Sequence, residues 1–255
     1  MRTDWDYTNL ADAYLKRPDY SDDAIDQLIR TIDIKKGAPV CDVGAGAAHL
    51  TLPLAGRGFQ IQAVEPNDAM RNHGINRTKH LNNVRWHEGT GENTNQPASF
   101  FDLVSFGSSF SVTDRAATLK ETARILKAGG WFACLWNHRV LEDPIQSKIE
   151  GIIASAIKNY SYGYRREDQT AVIDESGLFG PVKKIEGVVV HHQRIDDCIE
   201  AWRSHATLQR QAGNRFDQII GRIDDYLRSF DPRQDSIKIP YVTRVWTAQV
   251  IKSSP

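Results

Sequence analysis

From Gly37 to His138 the chain alternates short apolar runs with amphipathic ones, and this alternation constrains the fold more than any other feature. "APVCDV", "FQIQAVEP", "NNVRWHEG", "SFFDLVSFGSSFS" and "GGWFACLWNH" read as five strands. "AAHLTLPLAGRG", "NDAMRNHGINRTKH" and "DRAATLKETARILKAGG" read as helices, the first and last ending in glycine. Strands and helices that alternate at such lengths form βαβ units around a parallel sheet covered on both faces. Right-handed crossovers then give a doubly wound sheet, and such sheets take ligands outside the carboxyl ends of their strands.

The flanks are expected to join this sheet, since no linker composition interrupts the chain. "WDYTNLADAYLKRPDY" carries helix-spaced aromatic residues and stops at Pro18, because the residue before a proline is pushed out of the helical region. Ser21 is placed to cap "DDAIDQLIRTIDI", with Asp22 and Asp23 at the positive end of that helix. Beyond Leu141, "DPIQSKIEGIIASAIKNY" is helical and "SYGYRRED" is a polar aromatic loop. "VKKIEGVVVHHQRI" is a strand, "DDCIEAWRSHATLQRQAG" and "NRFDQIIGRIDDYLRSF" are helices, and "IKIPYVTRVWTAQVIK" is a final β segment. The expectation is one domain over residues 1–255: a helical lid over 1–36, a cofactor-binding core over 37–140, and substrate-side elements with closing strands over 141–255.

The turn after the first strand, "DVGAGAAH", narrows the ligand. A dinucleotide fingerprint needs G-x-G-x-x-G, and the third glycine position is His49. Asp42 would repel an incoming pyrophosphate, and no G-x-x-x-x-G-K-[ST] string follows the strand. A cationic, phosphate-free ligand such as S-adenosylmethionine reverses that electrostatic objection. Glu65 ends the second strand about 20 residues beyond the glycines, where an acidic residue takes ribose hydroxyls. Glu65 alone suits NAD and S-adenosylmethionine equally; Asp42 and His49 favour the latter.

"VCDVGAGAAHLTLPLA", "IQAVEPNDAM", "HEGTGENT", "SFFDLVSFGSSFSVTD" and "ETARILKAGGWFACLW" follow one another as the motifs of a known family do. Over Cys41–Trp136 the chain resembles class I S-adenosylmethionine-dependent methyltransferases, within the small-molecule group (type 11) that includes trans-aconitate methyltransferase-like proteins. The resemblance implies a Rossmann-like α/β fold: a doubly wound, seven-stranded sheet with the last strand antiparallel, and N-terminal and inserted helices over the binding edge. It implies S-adenosylmethionine as cofactor. Gly44 and Gly46 would back its methionine part, Asp42 would order the loop, and Glu65 would take the ribose. Asn67 and Met70 would lie near the adenine, Thr90, Gly91 and Glu92 would contact it, and Ser108 would stand at the site edge. Many relatives carry an aspartate where this chain has Thr90.

Methyl transfer needs an aligned nucleophile, and a hydroxyl acceptor also needs a general base, for which histidine is suited. His138, His191, His192 and His205 are the base or orienting candidates. Tyr14, Arg17, Tyr20, Arg139, Tyr164 and Gln209 are the substrate-binding candidates. The aromatic loop Tyr160, Tyr162, Tyr164 with Arg165 and Arg166 suits a planar or anionic ligand. The eight histidines show no metal-ligand spacing, so no metal is expected. The balance of 32 basic and 32 acidic residues argues against nucleic acid or a membrane as partner. Three well-separated cysteines, no spanning run and no leader-like start make a cytoplasmic location the expectation. The reading is methyl transfer to an oxygen, or less readily a nitrogen, of a small polar or acidic metabolite. A non-catalytic S-adenosylmethionine-binding protein and a nucleic-acid methyltransferase are the alternatives; a homodimer is left open.

Overall fold

In the computed structural model, residue 8 and residues 11–162, 166–230 and 236–252 are described. The strands are β1 (Pro39–Val43), β2 (Gln60–Val64), β3 (Val84–His87), β4 (Phe101–Gly107), β5 (Leu126–Arg139), β6 (Lys183–Arg194) and β7 (Ser236–Gln249). They form one sheet of order β3-β2-β1-β4-β5-β7-β6. β1 to β5 pair in parallel, whereas β7 runs antiparallel to both β5 and β6. The chain winds outward from β1 in one direction through β2 and β3, and in the other through β4 and β5. The carboxyl ends of β1 and β4 therefore flank a switch point, where a crevice opens.

Helices α1 (Ala11–Tyr14), α2 (Asp22–Ile32), α3 (Thr51–Gly56), α4 (Asp68–Thr78) and α5 (Arg115–Ile125) belong to the first half. α6 (Pro144–Ala156), α7 (Thr170–Glu175), α8 (Ile195–Arg203), α9 (Ala206–Ala212) and α10 (Phe216–Arg228) belong to the second. Short polar side chains start several of them by accepting otherwise orphaned backbone N–H groups. Ser21 accepts from Ala24, Asn67 from Met70, Asp114 from Ala117, and Asp143 from both Ile145 and Gln146.

Two apolar layers cover the sheet. Ile25, Leu28 and Leu54 pack with Val40, Ile61 and Leu135 on one face. Leu119, Ile125 and Ile173 pack with Val104, Phe132 and Cys134 on the other. A third cluster joins Ile149, Ile153, Trp202, Leu208 and Ile223 to the start of β7 through Ile237, Ile239 and Tyr241. The second half of the chain thus both completes the sheet and builds a helical cap beside its carboxyl edge. No helix among the described residues is long and apolar enough to cross a membrane.

Three expectations change. Residues 1–36 are not one lid: α2 is a core helix that buries Ala24, Ile25, Leu28 and Ile32. Its start is bolted to the sheet, with Ser21 N donating to Thr243 Oγ1 (2.8 Å) and Ser21 Oγ to the Val188 carbonyl (3.1 Å). Gly187 permits that approach, since a Cβ there would stand 2.6 Å from Ser21 Oγ. The helix read through Gly130 ends at Ile125, because Leu126 is extended and pairs with Phe101 while its side chain enters the core. The helix read over 196–213 is two helices, broken at Ser204 and His205.

Candidate active site at the carboxyl edge of the sheet

The glycine turn is held by backbone. Gly44 N and Ala45 N both donate to the Val64 carbonyl, at 2.8 and 3.0 Å, which hooks the turn onto the end of β2. Gly44 has φ +66, and a Cβ on it would lie 2.4 Å from Ser109 Cβ. Only glycine supplies both the left-handed backbone and the missing volume. Ser109 is fixed above the turn by donating its hydroxyl to the Val43 carbonyl (2.6 Å).

Two buried carboxylates serve this turn differently. Asp42 is 0% exposed and accepts hydroxyl bonds from Thr51 (2.7 Å) and Ser105 (3.0 Å), tying β1 to α3 and β4. Burial raises its pKa to about 6 against the pull of those hydroxyls. It lies beneath the turn and lines neither of the two larger cavities. Glu65 accepts the Gly46 N–H on one oxygen and the Asn67 N–H on the other, both at 2.9 Å. Burial raises it to about 7, opposed by these same backbone bonds. Each Glu65 oxygen keeps a lone pair beyond its backbone bond, and the residue lines the cavity above.

That cavity holds about 960 Å³ and runs along the strand ends. Gly44, Gly46, Glu65, Asn67 and Met70 line it, as do Thr90, Gly91 and Glu92, with Ser108 at its far wall. Asn67 is the N-cap of α4, and Glu92 accepts from Asp114 N at the start of α5 (2.7 Å). The sequence places Ser109 beside Ser108 at the site edge, and it lines the cavity; what the sequence reading missed is Thr113 and Asp114 on the β4 side, and Thr207, Arg210 and Gln211 on α9. Gln211 grips the backbone of Ser161 at both ends, accepting from its N–H (3.0 Å) and donating to its carbonyl (2.6 Å). The break at Ser204–His205 resets the helical phase, which is why Thr207, Arg210 and Gln211 face inward while Gln209 is exposed and lines neither cavity.

A second, smaller cavity of about 100 Å³ adjoins the first. Tyr14, Arg17, Ser108 and Tyr162 line both. Ser108 holds a left-handed backbone (φ +61) and meets the Tyr20 hydroxyl at 2.9 Å. Tyr20 is buried, which raises its phenol well above the usual range, so it stays neutral. Arg17 donates to the Ser204 carbonyl (2.7 Å) and hydroxyl (3.2 Å), and its guanidinium lies 4.1 Å from the Tyr14 ring centroid. The segment Ala11–Tyr20, rather than α2, is what covers the site from the N-terminal side. Tyr14 belongs with Ala11, Ala47 and Met70 in one small apolar cluster.

Among the four histidines, His138 and His205 line the smaller cavity and are each 5% exposed. His205 caps α9 by accepting the Leu208 N–H on Nδ1 (3.2 Å), so the neutral ring carries its proton on Nε2. His191 and His192 reach neither cavity; they sit in β6, paired with Ile239 and Lys238. Arg139 lines the smaller cavity at the end of β5. Tyr164 and Arg165 lie outside the described residues.

Comparison with known proteins agrees with this geometry. Residues 41–134 match the family model "Methyltransferase domain" (Methyltransf_11). Demethylmenaquinone methyltransferase of Staphylococcus saprophyticus is 31% identical over 113 residues, 43% of this chain and 48% of that protein. The chain thus spans about half the length of the curated relatives it matches. The solved YcgJ protein of Bacillus subtilis is 18% identical, with 91% of this chain and 99% of that one covered at a TM-score of 0.56. Haemonchus contortus phosphoethanolamine N-methyltransferase 2, in complex with phosphomonomethylethanolamine and S-adenosylhomocysteine, is 16% identical over 90% of this chain and 52% of that one, at a TM-score of 0.53. These two share the fold. Its strand order and antiparallel β7 fit the fold of these proteins, and its segment 41–134 is similar to the methyltransferase-domain family.

Proposed function

We propose that this protein is an S-adenosylmethionine-dependent methyltransferase acting on an oxygen, less readily a nitrogen, of a small polar or acidic metabolite. The observation that carries the reading is the pair of adjoining cavities: a large one over a glycine turn and a buried glutamate, and a small polar one across a shared wall. The residues fit the cofactor. The larger cavity has the size of a small-molecule site, Glu65 presents acceptors where ribose hydroxyls would donate, and nothing in the turn opposes a sulfonium cation. A protein of the same fold holds S-adenosylhomocysteine, which supports the same assignment.

When bound, S-adenosylmethionine supplies an electrophilic methyl group. This chain's residues then have three tasks. Gly44, Gly46 and Glu65 fix the cofactor; Ser108, Tyr14, Arg17 and Tyr162 form the wall across which the acceptor is aligned. The Ser161–Gln211 clamp and the Ala11–Tyr20 segment exclude water, so alignment supplies most of the rate. His138 is the base for a hydroxyl acceptor, since Nδ1 of His205 is occupied by its cap. The formal net charge of +0 supports a metabolite rather than nucleic acid as acceptor.

The test is calorimetric titration with S-adenosylmethionine and S-adenosylhomocysteine, followed by transfer of labelled methyl groups to a metabolite library. Binding of both ligands, turnover of one acceptor, and a fall in turnover of about 10²-fold in His138→Asn are expected. Binding without turnover of any acceptor would favour a non-catalytic binding protein. Absence of binding would remove the reading.

A further inference from the structure

The walls of the smaller cavity are cationic and include no carboxylate. Arg17, Arg139 and Arg166 all line it, and no aspartate or glutamate does. Among the described residues, none of the three arginines is within ion-pair distance of a carboxylate. Asp19 is engaged at the rim by His49, and Glu150 acts on Arg139 and Arg166 only from a distance. Two N–H donors there are sealed from solvent with no partner: Nε of Arg139 and Nε1 of Trp136, a residue only 2% exposed. An arginine and an indole cannot satisfy each other, because both only donate. Leaving such groups buried and unpaired is costly, so a site that keeps them is built for an acceptor.

Geometry orients the two guanidiniums. The Arg139 guanidinium stacks 3.9 Å from the Trp202 ring centroid and 5.7 Å from that of Tyr241. Arg166 lies 4.4 Å from the Tyr162 centroid and donates to the Arg139 carbonyl (3.0 Å). Aromatic contact occupies the guanidinium faces. Of the in-plane N–H groups, one on Arg139 meets the Tyr241 hydroxyl and one on Arg166 the Arg139 carbonyl. This leaves the others, Nε of Arg139 among them, for a planar or tetrahedral oxyanion. Burial draws Arg166 below its ordinary pKa, with Tyr162 and Glu150 opposing and neighbouring Arg139 adding to the effect. A bound anion would relieve that crowding. Arg139, Arg166 and Trp136 line only the smaller cavity, away from the wall shared with the cofactor.

We infer that Trp136, Arg139 and Arg166 form an oxyanion anchor, which holds a carboxylate or phosphate of the acceptor apart from the atom that is methylated. The inference rests on the methyltransferase reading for the word acceptor, but not for the anion site itself. It is tested by calorimetric titration of the protein, alone and saturated with S-adenosylhomocysteine, with inorganic phosphate, succinate and neutral succinamide at constant ionic strength. Saturable binding of at least one oxyanion is expected, with none of succinamide. Arg139→Gln and Trp136→Phe should each weaken it at least tenfold, while S-adenosylhomocysteine affinity moves less than threefold. Should Arg139→Gln fail to fold, Arg166→Gln reads the same pair of guanidiniums from the other side. No saturable oxyanion binding, equal binding of succinamide, or variants within twofold of wild type would overturn the anchor. A methyl ester formed on succinate would show the anion to be the target instead, and would also overturn it. Failure of S-adenosylhomocysteine to bind would strike only the proposed function, because the oxyanion titration is also read on the protein alone.

Discussion

Around the larger cavity the shape is set by main chain: the Gly44–Gly46 turn, the end of β2, and a glutamate that spans two N–H groups. Around the smaller one it is set by side chains from distant places in the chain: Arg17, Trp136, Arg166, His205 and Tyr241. The first arrangement is local in sequence and tolerates almost no added volume. The second is assembled from at least five segments, and its character lies in which side chains stand there. A scaffold that keeps the first and varies the second can retain one cofactor while changing acceptors.

The sharpest way to break this contrast is Gly44→Val. It sets a side chain against Ser109 and forces a β-branched residue to a left-handed φ, so S-adenosylhomocysteine binding should vanish in calorimetry. Stability should fall by ~2–4 kcal/mol in urea titration.

Glu65→Gln comes next, with a loss of about 10- to 100-fold in S-adenosylhomocysteine affinity at pH 8, since a charged acceptor becomes neutral. Wild-type binding should strengthen as pH rises through about 7, the pKa of the buried carboxyl, and the variant should be flat. Stability runs the other way. The folded value is raised above the ordinary 4.5, so the contribution is full below 4.5 and lost as pH rises through about 7. A melting curve of the unliganded protein that lacks this decline would contradict the burial of Glu65.

Asp143→Ala, which removes the cap of α6, touches only the helical cap. It should lower stability by ~1 kcal/mol and leave cofactor affinity unchanged, as measured by urea titration and calorimetry. Smallest of all are Gln209→Ala and His192→Ala. Both sites are exposed and away from the cavities, so stability should stay within about 0.5 kcal/mol and turnover within about twofold. A large loss of turnover in either would move the acceptor site onto that surface.

Legibility in the sequence follows the same division. The strand alternation and the "DVGAG" turn are short-range signals, so the parallel, doubly wound half of the sheet and the place of Glu65 at a strand end followed from periodicity and spacing. Resemblance supplied the antiparallel β7. Gln209 was misplaced because the single break at Ser204–His205 rotates α9 relative to α8, and no proline or glycine marks it. Nothing in the strand "GGWFACLWNH" sets Trp136 apart; that its N–H lacks a partner is visible only once β7 lies beside it. His191 and His192 promised catalysis by being histidines at a strand end, but β6 is the outermost strand and carries them away from the switch point.

The position of β7 also bears on the order in which the molecule is made. It inserts between β5 and β6, pairing with both along its length, and it supplies Ile237, Ile239 and Tyr241 to the helical cap. On the ribosome, β1 to β5 can associate as they emerge, each against a neighbour already synthesised. β6 and helices α8 to α10 must wait until β7 follows them out. A truncation before Ser236 should therefore yield a nascent cofactor half tethered to an unfolded, chaperone-dependent acceptor half.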